Sequence, residues 1–535
     1  MNFFSPVKTI LFCVLFPVLA QGQGFGSFLG LMPHSQNLYF EIPNGFSFQV
    51  LVKAGDTLSS GEIMPINSDF TGFLPINGVN PLNGYLLINS ETKPGGATLF
   101  DANFDNIMRR WVISNGQKLD FSAFSCGIGA GTLNNCSGGI TPWGTFVSCE
   151  EKAFDTLNCN YQGYPTFGWC IEIDPLTRQV VDYANDGNPD KIWPFGRMQH
   201  ENACFAPDYR TAYFGEDNFN PGYLFKFIAD TASNLSSGTL FTLKLNADST
   251  TGTWLPIQNN TITERCSVIQ QATTLGATPF MRIEDVEIGP GGKIYFASTL
   301  HGKIFRFQDL GNNIAQFETF ASSQNYLVQY EGGQVQESFS WPDNLCFDPE
   351  GNLYVTQDGG NNHIWRFGAN HSQALPQVSI FANTPVGSEP TGINFSPDGN
   401  FLFLSIQHPS PLNSAQQYDV LGNPVNFIKD VSLVIARNET FTGGTQSLHP
   451  TPDFPITFSF IAEERKLLCY PNSNLPLTGE WQIINELGQS LLKQSFNAGE
   501  NHHILAWDLN ILESGFYLLD IQVNNQHKFF RFVFN

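Results

Sequence analysis

The stretch MRIEDVEIGPGGKIYFAST, residues 281–299, crowds Arg282, Glu284, Asp285 and Glu287 around the start of an otherwise apolar strand. A half-buried strand alternates apolar and polar residues, so Val286 and Ile288 inward with Glu287 outward is ordinary. Arg282 and Glu284 together at the strand entrance need another reason. Two further stretches place a carboxylate identically: six residues back from a proline stand Glu201 (Pro207), Glu284 (Pro290) and Asp343 (Pro349). A fourth copy, on Pro397, has Thr391 there and Glu389 two residues earlier. Carboxylates brought together repel and raise one another's pKa unless a cation offsets them. Oxygen-rich acidic clusters are what Ca²⁺ and other hard cations bind. The plainer reading is a set of turn or capping carboxylates with no shared centre.

Upstream, TPWGTFVSCEE (141–151) ends a strand at Cys149 followed by Glu150 and Glu151. A cysteine in a strand is often a small buried hydrophobe or a disulfide partner. A thiolate beside two carboxylates is hard to sustain without a metal, and sulfur among oxygen ligands points to a transition metal beside calcium. Arg282 brings the opposite charge, either as an ion-pair partner of Glu284 or Asp285 or as a fork-shaped clamp suited to phosphate. His200, Asn202, Asn344 and His408 lie near corresponding strand ends, where such residues also cap turns. Asp217 (GEDN) and Asp358 (TQDGG) are turn formers first and metal candidates second.

The elements that must position these groups repeat. HENACFAPDYRTAYFGEDN, IEDVEIGPGGKIYFAST, WPDNLCFDPEGNLYVTQDGG and SEPTGINFSPDGNFLFLSIQHP each read as strand, proline-centred turn, strand. Three are followed by a third strand: YLFKF, KIFRF and HIWRF. Repeated antiparallel units of this kind predict an all-β chain with a six-bladed β-propeller over residues 24–467, seven blades or paired sandwiches being the alternatives. In a propeller, equivalent positions converge on the central axis, so the carboxylates should meet.

The remaining features bound the function. The net charge of −22, from 26 Lys+Arg against 48 Asp+Glu, argues against a nucleic-acid partner. Residues 1–23 read as a secretory signal peptide, and no later run is long and apolar enough for a membrane span. Nine cysteines remain beyond it, so an exported chain keeps at least one unpaired thiol; Cys126/Cys136 and Cys159/Cys170 are the expected local disulfides. From 468 to 535 short strands and turns predict a small C-terminal β-sandwich.

With these residues assembled, the chain resembles the PhoX-type alkaline phosphatase family, through TPWGTFVSCEE, GRMQHENACF, RIEDVEIGPGG, WPDNLCFDPEGNLYV and EPTGINFSPDGNFLFLSIQHP. The resemblance implies a six-bladed propeller holding iron and calcium at one mouth and hydrolysing small phosphate monoesters. It implies Cys149, Glu201, Glu284, Asp343 and Glu389 as metal ligands, Glu150 as a further one, and Arg282 as the phosphate-contacting arginine. Asn344 is the added candidate for substrate binding. Ile283 stands where the family's pattern suggests proline, and the stretch at Glu216–Asp217 matches loosely. The C-terminal segment is similar to the sorting domain of the type IX secretion system, through YPNS, IINELGQ and DLNILESGFYLLDI, which implies export by that machinery to the medium or cell surface. Calcium-dependent lactonase, phosphodiesterase and non-catalytic surface binding are the alternative functions.

Overall fold

A computed structural model describes residues 24–442, apart from 79, 126–130, 154–158 and 220, and most of the strand-forming residues between 456 and 534. The expected signal peptide, 1–23, lies outside the described residues. Among the described residues no helix is long and apolar enough to cross a membrane.

The described chain is mostly β, and residues 46–437 form six successive antiparallel units of four strands. Their first two strands are Ser68–Pro75 and Asn83–Ser90; Asn135–Ile140 and Phe146–Glu150; Cys204–Phe205 and Thr211–Gly215; Ile283–Ile288 and Lys293–Ser298; Pro342–Phe347 and Leu353–Gln357; Glu389–Phe395 and Phe401–Gln407. All four proline-centred repeats therefore fold as hairpins. Units three and four are joined edge to edge through the extra strand Gly252–Ile257. The sixth unit takes its outer strand from the other end of the chain: Phe46–Lys53 pairs with Val431–Arg437. That pairing protects two strand edges at once.

The first strands touch in order, and the sixth touches the first, so they close a ring. Between each pair of neighbouring sheets lies an apolar layer. Phe73 stacks on Phe403 between sheets one and six, at 4.9 Å between ring centres, and Tyr295 meets Phe347 edge-on between four and five. The abundance of phenylalanine follows: sheets packed face to face need large, flat, apolar side chains, each contributing roughly 1.5–3 kcal/mol when buried.

Polar staples cross the same seams near the axis. Asn202 of sheet three donates to Val286 O (2.8 Å) and accepts from Val286 N (3.1 Å) in sheet four. Asp285 of sheet four accepts from Leu345 N (2.6 Å) in sheet five, and Asn344 of sheet five accepts from Gly392 N (2.7 Å) in sheet six. Asn394 of sheet six accepts from Phe73 N (3.1 Å) in sheet one. Each satisfies a backbone group of the next inner strand. Asn344→Ala is expected to cost about 1–3 kcal/mol in chemical denaturation, because Gly392 N–H is left buried and unpaired. An unchanged midpoint would show that Asn344 carries no such load.

Beyond Asn438–Thr442 the strands form two further sheets. Ile456–Ile461, Lys466–Pro471 and Leu505–Asp508 make one; Leu477–Asn485, Ser490–Ala498, Gly515–Val523 and Gln526–Phe534 make the other. Trp481, Ile483, Leu519, Ile521 and Val523 alternate inward and are buried. Residue 468 falls inside the strand Lys466–Pro471, whose partner starts at Ile456, so this sheet begins before the boundary expected from sequence.

Candidate active site

The spacing of six residues from a proline extends round the whole ring. It selects Asp69 from Pro75 and Cys136 from Pro142, and then Glu201, Glu284, Asp343 and Thr391. Each of these six lies in or beside the entrance of a first strand, at one mouth of the ring. The next residues, Phe70, Ser137, Asn202, Asp285, Asn344 and Gly392, line a cavity of about 260 Å³ beneath them. Second strands return to the same mouth, where they deliver Glu91, Glu151, Asp217 and Asp358. Antiparallel pairing thus explains why residues more than 300 positions apart share one site.

The closest group is Glu151, Glu201 and Asp217, with one carboxylate oxygen of each within 4.8 Å of the others. Burial, and then Glu284, Glu151 and Asp217, pushes the Glu201 carboxyl well above its usual range. Burial followed by Glu389, Asp358 and Asp69 does the same to Asp343, and burial followed by Asp358, Asp69 and Glu91 to Glu389. Glu284 is raised by burial and by Asp217. Against this charge stand two cations. Arg282 Nε donates to Asp217 Oδ1 at 2.9 Å, and its Nη2 touches Glu284. Lys152 pairs with Glu151. Burial works against the Arg282 charge, but Glu284, Asp217 and Glu201 outweigh it and hold the guanidinium above its ordinary value.

The two thiols exchange places relative to the sequence reading. Cys149 lies on the second strand of its sheet and faces the apolar layer between sheets two and three, its Sγ 3.4 Å from that of Cys170. Cys136, on the first strand, is the thiol at the mouth: its Sγ is 3.4 Å from Glu201 Oε2 and 3.4 Å from His200 O. Burial, Glu201 and Glu151 push this thiol well above its usual pKa. Sequence reasoning passed over Cys136 as a disulfide partner, although counting back from Pro142 selects it.

Glu150 is likewise displaced in favour of Glu151. Its carboxylate is fully buried against Lys191 Nζ (2.9 Å) and accepts from Leu133, Gly168 and Trp169 N–H groups. Alternation beyond the strand end sends the next residue to the mouth instead. Asn344 spends both ends of its amide inside the protein, on Asp343 Oδ1 (3.0 Å) and Gly392 N. His200 is buried and bonds Gly196 O through Nε2, whereas His408 is exposed and held through its backbone by Asp430. Neither expected disulfide is present, since Cys136 and Cys170 are free thiols; Cys159 is disulfide-bonded, and Cys126 lies outside the described residues.

The donor set fits cations. Glu151, Glu201 and Asp217 bring carboxylate oxygens within 4.8 Å of one another, and the carboxylates at the mouth outnumber Arg282 and Lys152, which are already engaged by Asp217, Glu284 and Glu151. Converging buried carboxylate oxygens with too few cations to offset them are what a hard cation would satisfy.

Among solved structures, the chain is similar to PhoX of Pseudomonas fluorescens in complex with vanadate, a transition state analogue. Identity is 20%, coverage is 77% of this chain and 98% of that one, and the TM-score is 0.60, which speaks for the fold. It is also similar to a catalytically inactive virginiamycin B lyase from Staphylococcus aureus with quinupristin (11% identity, 74% and 99% covered, TM-score 0.35). A gluconolactonase from Xanthomonas campestris follows (11%, 72% and 99%, 0.31). No curated protein matches the sequence. Residues 124–410 match the family model described as alkaline phosphatase PhoX. That segment is more than half of the 535 residues and carries Cys136, Glu151, Glu201, Asp217, Arg282, Glu284, Asp343 and Glu389, so the chain belongs to the alkaline phosphatase PhoX family.

Proposed function

We propose that this protein is an exported, metal-dependent phosphatase that hydrolyses phosphate monoesters at the mouth of a six-bladed β-propeller. The observation that carries the reading is the convergence of Asp69, Cys136, Glu201, Glu284 and Asp343 from five inner strands, with Arg282 beside them. Iron and calcium are the metals that this mixed donor set and the family suggest. When bound, such cations neutralise phosphoryl oxygens and make phosphorus easier to attack.

The chain's own residues do the rest. The carboxylates fix where positive charge sits, and Cys136 offers one soft ligand among hard ones. Arg282 spends Nε and Nη2 on Asp217 and Glu284, which orients its plane and leaves Nη1 to donate to a phosphoryl oxygen. Such a donor stabilises charge as it develops on the equatorial oxygens. A calcium-dependent lactonase or a surface-binding propeller needs neither this clamp nor the thiol. The N-terminal segment and the C-terminal strands are read as export signals, the latter a β-sandwich addressed to the type IX machinery and without a part in catalysis.

The test is phosphate release from p-nitrophenyl phosphate at alkaline pH, by protein purified with its metals and analysed for iron and calcium. Activity lost on chelation and restored by the two metals is expected. Metal-replete protein that releases no phosphate would sink the reading. The ligand set has its own check: Cys136→Ser is expected to lose most of its iron, while Cys149→Ser keeps it. Equal iron in both variants removes Cys136 from the site.

A further inference from the structure

The rim around this acidic mouth is not uniform. Over sheets three to five it carries exposed apolar side chains: Phe219 (62% exposed), Leu300 (39%) and Trp341 (39%). Single exposed apolar residues are ordinary on any surface. These three are not scattered, because each sits in a segment tied to Arg282 or to its neighbour. Arg282 N donates to Asn218 O at 3.0 Å, fixing the turn that bears Phe219. Thr299 N donates to Arg282 O at 2.8 Å and its Oγ1 to Pro342 O at 2.5 Å, which joins the turn of Leu300 to the strand that follows Trp341. The Phe219 ring centre lies 5.2 Å from the Arg282 guanidinium carbon.

We propose that this apolar arc is the leaving-group subsite of the phosphatase and takes an arene attached close to the ester oxygen, with Phe219 as its platform. The inference rests on the phosphatase reading above and on Arg282 holding the phosphoryl group. With the phosphoryl oxygens on the guanidinium, the ester substituent leaves the acidic mouth beside the Phe219 ring. An arene there gains an aromatic contact and removes apolar surface from water, on both itself and the phenylalanine. A polyol or a carboxylate at the same place gains neither. Phe219 is a specificity residue in this account; the bond broken and the cations required are unchanged.

The experiment compares benzyl phosphate with glycerol 1-phosphate, whose leaving groups are both alkoxides, in the metal-loaded full chain. Phe219→Ala is expected to lower kcat/KM for benzyl phosphate about 3- to 10-fold and to leave glycerol phosphate within about twofold, with Phe219→Trp restoring the difference. Adenosine 5′-monophosphate, whose base stands a ribose away from the phosphate, is expected to follow glycerol phosphate. A loss shared equally by all three esters, a loss confined to the nucleotide, or no loss at all overturns the proposal. Binding supplies a readout independent of turnover. Benzylphosphonate is expected to bind more tightly than methylphosphonate by a similar factor, and Phe219→Ala to erase that margin. If the wild-type protein releases no phosphate from any ester, the phosphatase reading falls. The subsite is then decided by the phosphonates alone, and equal affinity for the two overturns it.

Discussion

Arg282→Ala is expected to lower kcat/KM for phosphate monoesters by about 10²- to 10³-fold, or roughly 3–4 kcal/mol of transition-state stabilisation. The size follows from its setting. The Arg282 side chain is only 17% exposed and its guanidinium is held by Asp217 at 2.9 Å and by Glu284, so its donors are aimed before substrate arrives. Removing it also deprives both carboxylates of their nearest positive charge. Arg282→Lys is expected to fall between, since it keeps the charge and loses the planar fork. Inhibition by inorganic phosphate gives a second readout and is expected to weaken in parallel. A variant that retains activity and phosphate inhibition within a few-fold would mean that Arg282 serves only as an ion-pair partner.

Stripping the cations is the second large perturbation, and its sign with pH is defined. Glu201, Glu284, Asp343 and Glu389 are all held above their ordinary values of 4.5 or 3.8, first by burial and then by neighbouring carboxylates, Asp217 and Asp358 among them. In the cation-free fold they keep protons that the unfolded chain has already lost. The folded state then binds more protons than the unfolded one, so stability is greatest in acid and falls as pH rises through this window. Glu216, raised by burial to about 7, marks part of it and contributes on the order of 3 kcal/mol between about 4.5 and 7. Chelated protein should therefore lose thermal stability between about pH 5 and about pH 8. Calcium and iron should reverse the loss, with about 2.7 kcal/mol regained at a hundredfold excess over Kd. Melting curves of the chelated protein decide this. A Tm that is flat or rises over that range, and is indifferent to metals, would show that the carboxylates do not share one centre.

Much of the arrangement was legible in residue order. The proline-centred repeats gave hairpins at the expected places, because alternating apolar residues around a tight turn have few other ways to bury themselves. Counting from the proline marked Glu201, Glu284 and Asp343 as equivalents, and the inner strands bring these positions to one mouth. The same count, carried to Pro75 and Pro142, would have added Asp69 and Cys136; the weaker repeats of the first two sheets hid them. Cys149 and Glu150 drew attention by lying in the more recognisable motif, yet they sit on a second strand and face inward. The position of Asn344 beside Asp343 does not reveal that its amide oxygen accepts from Gly392 N and ties sheet five to sheet six.

What the sequence determined by itself is local and periodic: the strand alternation, the turns, and the spacing that places one chemical group at each strand entrance. These depend on neighbours within a few residues, which the order of residues states directly. The tertiary structure decided which group faces the mouth and which faces a neighbouring sheet, and which carboxylates meet. It decided too that Phe46–Lys53 closes the sixth unit beside Val431–Arg437. Those outcomes depend on a one-residue phase at each strand end and on contacts between segments hundreds of residues apart. A shift of one position exchanges Glu150 for Glu151, and no local pattern carries that information.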